Sequence, residues 1–120
     1  MRRRILAGAV GLALILGAST HLRAEWATLE QIAVAGTAIG FTAANINEGN
    51  GHAQANIGVC RVRTAQVSVR WDGGTPTSTV GMLLEVGDLI TIKSHEELVR
   101  FRAIRTTSTS GQLDCTVSEN

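Results

Sequence analysis

Few residues of this chain could do chemistry, and their spacing disfavours most of it. Cys60 and Cys115 are its only cysteines. They lie too far apart for a metal-binding pair, but an even pair in an exported protein is normally oxidised. Closing a loop of roughly 56 residues would stabilise the fold by about 4 kcal/mol in the chain-entropy account. His52 falls in a Gly/Asn-rich run, and His95 follows Ser94 with glutamates at 96 and 97. Both read as turn or cap residues, since a catalytic base needs a partner within hydrogen-bond reach. His95-Glu96 is not followed by the second histidine of a zinc protease, and no Gly-x-Ser-x-Gly elbow occurs. In Asn45 to Gly51 only Glu48 is charged, which is poor for calcium and good for a turn. Gly73-Gly74 has no lysine or helix beside it to make a phosphate loop. Asp72, Glu85, Asp88, Glu96, Glu97 and Asp114 read mostly as solvated charges. No cofactor, metal or catalytic set is expected.

The arginines are the most suggestive polar set. Arg61, Arg63, Arg70, Arg100, Arg102 and Arg105 fall in or beside strand-like segments and could line one sheet face. Such a face would dock an acidic partner. The plainer reading, which ordinary sheets favour, is an outward face whose arginines pair with Asp and Glu across strands.

The positions of these residues depend on what precedes them. Arg2-Arg3-Arg4, an uncharged apolar run from Ile5 to Ala18 and a cleavage point after Ala24 read as an export leader, with a membrane anchor as the alternative. The run falls short of the roughly 20 residues that span a bilayer. Without residues 1–24 the chain loses four arginines and no acid, so a net charge of +1 becomes −3. A mildly acidic domain is not steered to nucleic acid or to an anionic membrane, and no interleaved aromatics offer stacking platforms. Residues 25–120 are enough for one domain. With two Trp, two Phe and no Tyr in the chain, its core must be built mostly from Val, Ile, Leu and Ala.

Period-two patterning then predicts strands. Gln31–Ala35 and Thr37–Thr42 flank Gly36, after a frayed lead-in over Glu25–Glu30. Asn45–Gly51 is a loop, and Ala53–Thr64 a long strand bulged at Gly58. In Ala65–Asp72, Val67, Val69 and Trp71 share one face, while Gln66, Ser68 and Arg70 share the other. Asp72-Gly73-Gly74 is a turn, and Thr75–Thr79, around the only proline, an edge crossing. Met82–Val86 and Leu89–Lys93 flank a Gly87-Asp88 turn. Ser94 opens a capping box over a helical turn at Glu96–Val99. Phe101–Thr106 and Gln112–Val117 close the chain. The expectation is an all-β fold: an antiparallel β-sandwich or jelly roll of about eight short strands after an N-terminal signal helix.

The run Arg70-Trp71-Asp72-Gly73, Pro76-Thr77, Val80-Gly81, Gly87-Asp88 and Phe101-Arg102-Ala103-Ile104-Arg105 resembles small β-rich proteins of tailed bacteriophages. The resemblance spans Ala53 to Val117. It implies tight turns at Asp72-Gly73, Gly81 and Gly87, a core position at Ile104, and no ligand or catalyst. A virion decoration or fibre-like role follows from it, with self-association, for instance as a trimer. An export leader departs from that pattern. The second expectation is therefore an exported periplasmic or extracellular module that docks a protein partner through the arginine face.

Overall fold

Alternation of buried and more accessible residues builds the two longest strands among the described residues. The structure, a computed structural model, describes residues 26–49 and 51–119, and the expected leader at residues 1–24 lies outside the described residues. β1 (Ala27–Val34) buries Glu30, Ile32 and Val34 and exposes the residues between them. It pairs antiparallel with β7 (Gly111–Ser118) in unbroken register, from Ala27 opposite Ser118 to Val34 opposite Gly111. β2 (Ile57–Arg63) lies on the other side of β7, and β5 (Leu89–Ile92) completes the sheet in the order β1-β7-β2-β5. A second antiparallel sheet runs β4-β3-β6, from Met82–Leu84, Val67–Arg70 and Arg102–Arg105 respectively.

Both sheets contribute to one core. Cys60, Val62, Ile92, Leu113, Cys115 and Val117 come from the first, and Val67, Val69, Leu84 and Ala103 from the second. As the composition dictates, aliphatic side chains fill it. Phe101 is the largest fully buried side chain, and its ring meets Phe41 with centroids 5.1 Å apart. Two short helices close the assembly: α1 (Ala43–Ile46), which buries Ile46, and α2 (His95–Arg100), which buries Leu98.

Seven strands occur among the described residues, and several departures from the sequence expectation have identifiable causes. The expected lead-in at Glu25–Glu30 is strand from Ala27, because β7 offers it a partner along its whole length. Thr37–Thr42 is not a strand; only Ile39 bridges, to Ala103 of β6. The segment instead turns into α1, held by the buried carboxylate of Glu30. That carboxylate accepts the Thr42 N–H, the Thr42 hydroxyl and the Asn45 side-chain amide, each at 2.9 Å. Gly58 marks no bulge, since the β2 register runs through it against both neighbours. Its missing side chain makes room for α2: a Cβ there would stand 2.7 Å from Leu98 Cδ2.

Cys60 and Cys115 face each other across β2 and β7 and form a disulfide with Cα atoms 4.0 Å apart.

Candidate functional site

The six arginines do not share a face. Arg61 and Arg63 point outward from β2 in the first sheet, where Arg63 donates to Asp114 at 2.9 Å and Arg61 lies opposite Asp114 in register. This Arg63 contact, with help from Gln112, holds the Asp114 carboxyl below the usual carboxylate range. Arg70 and Arg102 belong to the second sheet and stand directly opposite each other on β3 and β6. Two like charges so placed must find separate partners. Arg70 turns to Asp72, giving it two hydrogen bonds at 3.0 and 2.8 Å. Arg102 turns to main chain, donating from Nη1 to the carbonyls of Val99 and Phe101. Arg105 faces the opposite side of the sheet from Arg102 and packs against Gly36. Arg100 ends α2, 3.9 Å from Glu96. Sequence alone could not separate these positions, because parity fixes the face of a residue within its strand and only register fixes it between strands.

His52 and His95 both make structural contacts. His95 donates from Nδ1 to the Ala55 carbonyl at 3.0 Å, joining α2 to the segment before β2. His52 donates to the carbonyl of Ala53 and stacks on Trp26, with ring centroids 4.1 Å apart. The Asn-rich loop closes on a Gly49–His52 bridge, with Asn45 spent on Glu30. Among the described residues no cluster of His, Cys, Asp and Glu has the geometry of a metal site.

The Asp72 turn forms as expected. Gly73 adopts a φ of +95°, and Asp72 accepts the N–H of Gly74 at 3.1 Å. Beyond it, Thr75, Thr77, Ser78 and Thr79 are exposed and only Pro76 is buried. The chain folds back over β3, burying Pro76 and reducing Ser68 to 2 % exposure, with the Ser68 hydroxyl donating to the Val80 carbonyl. Gly81, at φ +141°, permits this approach; a Cβ there would sit 2.3 Å from Ser68 Oγ. Ser68 was expected on the solvent side of its strand and does point away from the core, but the returning chain covers it.

That returning chain leads into the most apolar exposed surface of the described residues. Val80, Met82, Leu83, Val86 and Leu89 are each 49–58 % exposed, all within ten residues around β4. β4 is an edge strand, so one side of its backbone has no ladder partner. A cavity of about 400 Å³ opens beside it, lined by Val69, Trp71, Gly81 and Met82 and rimmed by the Arg70–Asp72 pair. The sequence carried one sign of this surface: three consecutive apolar residues on a strand must place at least one on each face. Which side was left uncovered depended on the fold.

Comparison with protein-family models, with curated proteins and with solved structures finds no match to this chain.

Proposed function

We propose that this protein is a non-enzymatic, exported β-sandwich module that assembles with copies of itself through the β4 edge. The carrying observation is the run of half-exposed aliphatic side chains around an unpaired edge strand. Isolated exposed hydrophobes are ordinary, but a run of them on and beside an open edge strand favours association there. The run is also self-complementary. An antiparallel two-fold centred on Leu83 sets Met82 opposite Leu84 of the second copy and keeps inward residues facing inward in both sheets. It also brings the Val80 flank of one copy to the Val86 flank of the other, since each lies three residues from Leu83. The two three-stranded sheets would become one of six strands.

The disulfide in the first sheet supports an oxidising compartment, and the resemblance to phage structural proteins supports a self-assembling surface module. Size-exclusion chromatography with light scattering tests the reading. A dimer is expected, and Leu83→Lys should give a monomer with an unchanged β spectrum, because it sets two like charges directly opposite each other at the two-fold. A wild-type protein monomeric into the high micromolar range would overturn the proposal, as would a Leu83→Lys variant that still dimerises. N-terminal sequencing of exported protein should begin at Glu25; recovery of intact Met1 only would remove the exported part of the reading.

A further inference from the structure

Away from β4, a second surface has the features of a ligand site. A groove of about 520 Å³ runs between the 38–47 segment and the end of α2. Ile39, Phe41, Ile46 and Val99 give it an apolar strip, and polar groups, among them Thr42, Asn47 and the guanidinium of Arg102, share the lining about evenly with it. Ile39 and Val99 are 40 and 44 % exposed, so the lining is open to solvent.

The guanidinium is held in place. Nη1 donates to the Val99 carbonyl at 3.0 Å and to the Phe101 carbonyl at 2.7 Å. Gly40 provides the room, since a Cβ there would stand 2.6 Å from Nη1 and 2.4 Å from the Phe101 carbonyl oxygen. Ile39, one residue earlier, is fixed to β6 by reciprocal backbone bonds with Ala103 at 2.9 and 2.8 Å. Both walls are thus anchored on β6. Among the described residues Arg102 forms no ion pair, and no protein acceptor bonds its Nε or Nη2. The buried carboxylate of Glu30 is occupied by Thr42 and Asn45.

A fixed guanidinium with free donors beside a strip of aliphatic and aromatic side chains is complementary to a small amphipathic anion. The geometry points to a binding site for a small monocarboxylate with a short alkyl chain. Its carboxylate would accept from Arg102 and its chain would lie along Ile39, Phe41, Ile46 and Val99. The site is independent of self-association at β4, and neither requires the other.

Hexanoate is a direct probe, with hexan-1-ol as its uncharged counterpart, followed by amide chemical shifts of the oxidised protein. Hexanoate should shift the amides of Ile39, Phe41, Ile46 and Val99 saturably, whereas hexan-1-ol should bind at least about tenfold more weakly. Arg102→Gln should lose hexanoate binding to a similar degree while keeping its β spectrum. Val99→Glu, at an exposed helix position, should weaken hexanoate binding by repulsion and covers the case in which Arg102→Gln fails to fold. Absence of saturable shifts with hexanoate would overturn the inference. So would equal binding of hexan-1-ol, or full hexanoate affinity in a folded Arg102→Gln or Val99→Glu variant.

Discussion

Cys60 and Cys115 are joined across two strands that are already neighbours, β2 and β7, at a point where each strand also has a partner on its other side. The disulfide therefore does not tie one sheet to the other. It locks the register of the central pair of one sheet, and its effect falls mainly on the unfolded chain, where it closes a loop of 55 residues. Replacing both cysteines by alanine should leave the β spectrum intact and lower unfolding stability by about 2–4 kcal/mol. Denaturant unfolding of the two forms measures this, and thiol titration of unfolded, unreduced wild type should find no free thiol.

The Asp72 turn should be acid-resistant. Arg70, and then the N–H of Gly74, hold the Asp72 carboxyl at about 2, well below its ordinary 3.8. Because the folded state favours the ionised form, the turn's contribution is complete above the ordinary carboxylate value and is lost as pH falls through about 2. Asp72 is exposed and Arg70 only half-buried, so global stability should barely register the change. A carboxyl NMR titration should show Asp72 ionised across pH 3 to 4, and Arg70→Gln should return its midpoint toward the ordinary range.

The Ser94 cap predicts a local effect. Its hydroxyl accepts the Glu97 N–H at 3.2 Å and donates to the Glu97 carboxylate at 3.0 Å, so the glutamate meets the hydroxyl as its partner. Ser94→Ala should cost about 1 kcal/mol in denaturant unfolding. The α2 amides should exchange faster, while those of β7 keep their protection.

How far the fold could be read in advance followed from the range of the forces involved. Val67 and Val69 are buried and Asp72-Gly73 turns as their pattern demands, because parity and positive φ are local properties. Ser94 and Glu97 meet for the same reason, being three residues apart. The features that sequence did not disclose depend on distant partners. α1 depends on Glu30, twelve residues before Thr42, and the strand character of Ala27–Glu30 depends on β7 at the other end of the chain. The arginine positions were legible as strand positions but not as a surface. Arg61 and Arg70 are both outward on their own strands, yet those strands belong to different sheets. The exposed β4 run was visible as apolar sequence, and only the sheet order shows that no strand among the described residues pairs with its outer edge.

Gly58 offers the sharpest test of packing between α2 and the first sheet. Leu98 is fully buried, and its Cδ2 occupies the space a Gly58 side chain would need, with Val117 Cγ1 at 3.5 Å from the same point. Gly58→Ala must therefore displace a packed methyl group, and overpacking of this kind costs about 1–3 kcal/mol. Alanine also restricts the unfolded chain and would otherwise stabilise a strand by less than about 1 kcal/mol. The steric term should dominate, giving net destabilisation in denaturant unfolding. Leu98→Ala alone should cost about 2–5 kcal/mol by opening a cavity. In the double variant the new methyl partly fills that cavity, so the combined loss should fall short of the two single losses added together. Strict additivity would mean that Gly58 and Leu98 do not share this space.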